Sequence, residues 1–150
     1  MTISIRSAAA DDLSAMMELE KHAATAAHWS REQYEELFRV SHLARVALIL
    51  QEGSAFHGFV IARVVGAEWE IENIAVAGPA RRRGLGTRLL GELLDMARAQ
   101  GAAAVFLEVR ESNHAARALY EKWAFRESGR RRRYYKNPGE DAILYRLDFT

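Results

Sequence analysis

Apolar residues change their spacing several times along this chain, and each change marks an element. Ile3 and Ile5 alternate with polar neighbours, which predicts a short strand over residues 3–6. Asp11 and Asp12 follow, placed for a first helical turn, where the dipole favours negative charge. Leu13, Met16 and Met17 give that helix an apolar stripe. Ser30-Arg31-Glu32-Gln33 has the spacing of a capping box and predicts a second helix to about Phe38. Strands are expected over residues 46–51, 56–65 and 68–76, with Gly66-Ala67 turning between the last two and Gly78-Pro79 ending the third.

The second half carries the strongest helical period. Leu85, Leu89, Leu93, Met96 and Ala97, flanked by Leu90 and Leu94, predict a helix over residues 84–100 that stops at Gly101. A short apolar strand is expected at 104–109, then a helix at 113–123 with Ala116, Leu119, Tyr120 and Trp123 facing inward. Strands at 125–136 and 142–149, joined by Asn137-Pro138-Gly139, complete the order β-α-α-β-β-β-α-β-α-β-β. That order predicts an α/β fold with a mixed sheet, one β-α-β crossover and helices on both faces.

The length of 150 residues suits one domain over residues 1–150, with no repeat or linker. Cysteine is absent, which excludes disulfides, thiolate metal sites and a sulfur nucleophile. The first residues lack the apolar core of a signal peptide, and no apolar run approaches the roughly 18–20 residues of a membrane span. A cytoplasmic location is therefore expected. Net charge is +1, but arginine is clustered at positions 81–83 and 130–133. On a near-neutral chain such clusters suggest local anion sites more than a nucleic-acid surface. The run 130–133 also fits a solvated strand.

The most informative stretch joins the strand ending in Ile74, Ala75 and Val76 to the helix that opens at Arg81-Arg82-Arg83-Gly84-Leu85-Gly86-Thr87. The first N–H groups of a helix lack internal partners, and the dipole adds positive potential there. Glycines let a phosphate approach the backbone, and arginines add donors. The spacing predicts a diphosphate cradle. Gly-Lys-Ser/Thr is absent, so this is no Walker loop, and Leu89 stands where a dinucleotide fingerprint needs its third glycine or alanine. On spacing alone an ordinary glycine-rich strand-to-helix junction fits as well.

Two other residues stand out. Glu108 lies on the face of its strand opposite Val105, Leu107 and Val109, in a sheet expected to be covered on both sides. It could equally reach solvent at the strand end or pair with an arginine such as Arg110. Tyr120 lies 12 positions later, on the inward face of a helix where a core aromatic is also at home. Asn113 is placed as that helix's N-cap.

Arg81-x-x-Gly84-x-Gly86, set between strand and helix, resembles the Arg/Gln-x-x-Gly-x-Gly/Ala motif of the GNAT family of N-acetyltransferases. The resemblance extends from Ile3 to Phe149. His28-Trp29-Ser30, Glu72-Asn73-Ile74-Ala75-Val76, the stretch from Leu107 to Asn113, Ala118-Leu119-Tyr120-Glu121 and the Arg131 to Tyr135 run with Glu140-Asp141-Ala142 are similar to the branch that acetylates the N-terminal alanine of a ribosomal protein. Trp123-Ala124-Phe125 departs from the usual Leu-Gly-Phe, which puts the helix-to-strand turn in question.

The resemblance implies a mostly antiparallel sheet and acetyl-CoA as cosubstrate, with no metal. Residues 81–87 would hold the diphosphate, the main chain of Ile74, Ala75 and Val76 the pantetheine arm, and Asn113 a further cofactor contact. Glu108 matches the family's general base and Tyr120 its proton donor. Trp29, Tyr134 and Tyr135, in loops, would flank a groove for an acceptor protein N-terminus, such as that of a ribosomal protein. A small amine or lysine acceptor, and a non-catalytic arginine-rich module, stand as alternatives.

Overall fold

A computed structural model describes residues 2–23, 26–39, 44–78, 83–136 and 139–149. Its elements are β1 (Ile3–Ser7), a 3-10 turn (Ala10–Asp12), α1 (Leu13–Glu20), α2 (Arg31–Leu37), β2 (Arg45–Glu52), β3 (Ala55–Val65), β4 (Glu68–Val76), α3 (Leu85–Ala99), β5 (Ala104–Arg110), α4 (His114–Lys122), β6 (Arg126–Tyr135) and β7 (Glu140–Asp148). The expected order is the observed one. Among the described residues seven strands form one sheet in the order β1-β2-β3-β4-β5-β7-β6. Every pairing is antiparallel except β4 with β5.

Alternation along the central strands builds two cores. Leu48, Leu50, Val60, Ile74 and Val76 point to the face covered by α3 and α4, joined there by Leu89, Leu90, Leu93 and Tyr120. Ile49, Phe59, Ile61 and Ala75 point to the face that Met16 and Tyr34 of α1 and α2 cover. The period-2 pattern of the strands thus dictates helices on both faces. The leucines of α3 each contribute roughly 1.5–3 kcal/mol by burial.

Asp11 and Asp12 lie in the 3-10 turn before α1 rather than in its first turn. The reason is Asp12's other bonds: both its oxygens accept from Arg6 at 2.8 Å, and Oδ2 also accepts from Ala9 N–H. Ser30 caps α2 through the expected box, accepting from Gln33 N–H while Gln33 accepts from Ser30 N–H. Gly84 caps α3 with φ +70, a left-handed conformation glycine adopts without strain.

The feature that shapes the functional site is a parting of two strands. β4 and β5 pair only at Glu68–Ala104, Trp69–Val105 and Glu70–Phe106. Just beyond, β4 carries a bulge against β3: Ile61 faces Asn73 and Ala62 faces Ile71, so Glu72 is the extra residue. A bulge bends its strand and increases local twist, which turns β4 away from β5. β5 stays paired with β7 as far as Arg110–Ala142. Among the described residues no helix is long and apolar enough to cross a membrane.

Candidate active site

The parted strands open onto a cavity of about 710 Å³. Its floor comes from Glu70–Asn73 of β4 and Glu108–Arg110 of β5, and Asn113 and Tyr120 close one end. His28 and Trp29 form one wall, and Tyr134 and Tyr135 form the other. Six of the residues singled out in the sequence (Trp29, Glu108, Asn113, Tyr120, Tyr134 and Tyr135) therefore line one space.

Glu108 is half-buried, and its Oε1 meets Arg131 Nε at 3.1 Å. The partner is on β6, not the Arg110 that sequence proximity suggests, because β5 and β6 flank β7 in the sheet. Arg110 instead reaches Glu140 at 3.0 Å and lies over the Tyr135 ring at 4.2 Å. Tyr120 is 4% exposed and packs on Phe125 and Tyr145. Among the described residues its hydroxyl has no hydrogen-bond partner, and burial pushes the phenol above its ordinary range. Tyr135 is also pushed up, by burial first and then by the charge of Glu108.

Arg81 and Arg82 lie outside the described residues. Arg83 is described, and its guanidinium grips Glu52 with two bonds of 2.8 and 3.1 Å. His57 Nε2 approaches the same carboxylate at 3.2 Å. Arg83 first, then His57, holds the Glu52 carboxyl down to about 2. A phosphate would meet Arg83 only by sharing or displacing this partner. Leu85 is an anchor in the core. A Cβ on Gly86 would come within 3.3 Å of Val76 Cγ2, so this glycine has a packing reason of its own. Among the described residues, a Cβ on Gly84 would meet nothing within 4 Å. Residues 83–87 and Ile74–Val76 do not line the cavity; they lie at the far end of β4. Ile74, Ala75 and Val76 are buried as whole residues and pair with Val60, Phe59 and Gly58 of β3. Asn113 is the N-cap of α4, accepting from Ala116 N–H at 3.1 Å.

Tyr134 and Tyr135 stand in β6 rather than in a loop. Arg131 pairs with Ala142 and Tyr135 with Glu140, so residues 132–134 bulge out opposite Asp141 alone. Arg133 takes φ +50 there, and its N–H donates to Asp141 Oδ1 at 2.9 Å. The arginine run is exposed as a strand face, yet two members are engaged: Arg130 with Glu111 and Asp141, and Arg131 with Glu108. The two tyrosines pack edge-on at 5.2 Å. Trp29 does stand in a loop, just before α2, where it packs on Tyr34 at 5.3 Å and against the core while lining the cavity.

Sequence reading missed the polar residues on the β4 side. Glu72 pairs with Arg45 at 2.8 Å and Glu70 with Arg63 at 2.5 Å, and both carboxylates line the cavity. Asn73 is buried beneath them. The signal available was the charge at 70 and 72 inside an apolar strand.

A strand-to-helix junction that opens at a left-handed glycine, beside a parted pair of parallel strands, marks a class that the sequence comparison identifies. The profile of the acetyltransferase (GNAT) family matches residues 13–125, and the chain belongs to that family of acetyl-CoA-dependent N-acetyltransferases. That membership weighs against the reading as a non-catalytic arginine-rich module. Within the family, the chain is 39% identical over 151 residues to the ribosomal protein bS18-alanine N-acetyltransferase of Salmonella typhimurium, covering 99% of this chain and 98% of that one. It is 46% identical over 88 residues to the N-alpha-acetyltransferase RimI of Mycobacterium tuberculosis, covering 59% of this chain and 54% of that protein. The chain spans 22% and 54% of the lengths of the two mycobacterial proteins it matches. The crystal structure of the ribosomal-protein-alanine N-acetyltransferase from Escherichia coli superposes with a TM-score of 0.84 at 34% identity, covering 99% of this chain and 95% of that one.

Proposed function

We propose that the chain transfers an acetyl group from acetyl-CoA to the α-amino group of a protein N-terminus, with an N-terminal alanine of a ribosomal protein as the acceptor class. The observation that carries this reading is one cavity, open at the parting of β4 and β5, that gathers Glu108, Tyr120 and two aromatic walls.

The chemistry makes three demands. The amine must be neutral to attack, and an α-amino group with a pKa of about 7.7–8.0 is only partly neutral near pH 7. Glu108, half-buried at the mouth of the cavity, is placed to take that proton, directly or through water. The thioester carbonyl must be polarised, and main-chain N–H groups along Ile74–Val76 suit that role. The leaving thiolate must be protonated. A phenol raised by burial stays protonated at neutral pH but is a weaker acid. The same apolar surroundings raise the thiol as well, so donation from Tyr120 to the developing thiolate stays feasible. Residues 83–87 would hold the diphosphate through main-chain amides, with Arg81 and Arg82 assigned to the same role.

An acceptor panel tests the reading. The enzyme is given acetyl-CoA and an alanine-initiated peptide, the same peptide blocked at its N-terminus but carrying a lysine, or small primary amines. Coenzyme A release with the free N-terminus alone is expected. Release only with lysine or small amines would move the acceptor to another class.

A further inference from the structure

Beneath the cavity wall lies a buried polar cluster that the chemistry above does not use. Glu20, at the end of α1, is 6% exposed, and Asn73 on β4 is 3% exposed. Burying a carboxylate and an amide is costly unless both are bonded, and here their bonds converge on one short loop. Asn73 Oδ1 accepts from Ala27 N–H at 2.8 Å, and Glu20 Oε1 accepts from Trp29 N–H at 2.5 Å. Asn73 Nδ2 donates to the Tyr34 hydroxyl at 3.0 Å and reaches Glu20 Oε1 at 3.4 Å, which ties the two anchors together. Between the two pinned amides sits His28 with φ +59, a left-handed conformation disfavoured for a residue with a Cβ. Strain of this kind persists where the surroundings over-determine it. Its consequence is visible in the cavity: His28 and Trp29 line it. Trp29 is braced from behind by Tyr34, with Arg45 at 5.9 Å over its ring.

We infer that Glu20, Asn73 and Tyr34 are positioning residues for the acceptor. They hold residues 26–29 in the strained shape that presents His28 and Trp29 to the amine-bearing segment, and they touch no reacting atom. Asn73 directly precedes Ile74–Val76, so the strand assigned to the cofactor also carries the peg for the acceptor wall. The inference rests on the cavity being the acceptor side of an N-acetyltransferase.

The test is two-substrate kinetics with amide hydrogen exchange on the same proteins. Glu20→Ala removes the oxygen that holds Trp29 N–H. It is expected to raise the acceptor KM by about 10–100-fold, to leave the acetyl-CoA KM within about twofold and to speed exchange at the Trp29 amide. Glu20→Gln keeps an acceptor oxygen at that site and should recover most of the loss. Tyr34→Phe, which deletes only the hydroxyl, should move the same two readouts in the same direction by less, and it decides the matter if Glu20→Ala does not fold. Equal rises in both KM values, or a faster Trp29 amide with the acceptor KM unchanged, would overturn the inference. A wild-type enzyme that yields no product with any N-terminal peptide would instead defeat the acceptor assignment, and the kinetics would then be read with whichever amine reacts.

Discussion

Two side chains carry the proposed chemistry, and they differ in how the fold holds them. Tyr120 is locked: it is 4% exposed, wedged between Phe125 and Tyr145, with its hydroxyl unengaged by the described residues. Removing that hydroxyl leaves the packing intact. Tyr120→Phe should therefore lower kcat by about 10²–10³-fold while the affinity for Coenzyme A, read by calorimetry, changes little. A matched loss of affinity would make Tyr120 a binding residue only. Glu108 is held by one ion pair from a different strand. Glu108→Gln should cost about 10²–10⁴-fold in turnover and remove the rise of rate with pH that a general base imposes. An unchanged pH profile in that variant would remove Glu108 from the role.

At the scale of elements, the end of α4 shows how a departure from the family pattern is absorbed. Ala124 stands where glycine is usual and keeps the glycine conformation, with φ +68. Phe125 N–H still reaches Tyr120 O at 3.1 Å, so the turn is preserved at the expense of strain. The left-handed region costs a residue with a Cβ about 1–2 kcal/mol, partly offset by glycine's greater loss of freedom. Ala124→Gly should raise stability by about 1 kcal/mol, a Tm gain of about 2–4 °C by calorimetry. The neighbouring Trp123 donates from Nε1 to Thr87 O at 2.9 Å and lies against Gly91, where a Cβ would come within 2.6 Å of the indole. Gly91→Ala should cost about 1–3 kcal/mol, and much less in a Trp123→Leu background; equal costs in both backgrounds, from urea unfolding, would deny the contact. The elements themselves were legible in the sequence, because their signals are local: the leucine period of α3, the Ser30 box and the Gly66 turn. Glu108 and Tyr120 were legible through motif resemblance, not spacing, since each fits a commonplace alternative. Three features were not legible. The bulge at Glu72 arises from register against β3. The Glu108–Arg131 pair depends on β7 lying between their strands. The Asn73 cluster joins residues 39 to 53 positions apart.

At the scale of the whole molecule, ion pairs tie separate elements together. Arg6 depresses the Asp12 carboxyl, Arg83 brings Glu52 to about 2, and Arg146 depresses Glu68. Each group binds fewer protons folded than unfolded. Their stabilisation is therefore complete above the unfolded values of about 4–4.5 and is lost as pH falls through the lowered folded values. The buried phenols of Tyr34 and Tyr120 are raised, so their contribution is present below about 10 and fades above it. Urea midpoints should hold steady from about pH 5 to 9 and drop on either side. Glu52→Gln should flatten part of the acid limb, and a midpoint unchanged down to pH 3 would contradict these assignments. The parting of β4 and β5 opens the cavity on which the proposed chemistry rests. The most direct measurement is a crystal structure with a conjugate joining Coenzyme A to an alanine-initiated peptide. The account predicts diphosphate on the amides of residues 83–87, the linking sulfur within reach of the Tyr120 hydroxyl, and the peptide between Trp29 and Tyr134–Tyr135. A diphosphate seated on the 130–133 arginines, or a sulfur remote from Tyr120, would contradict it.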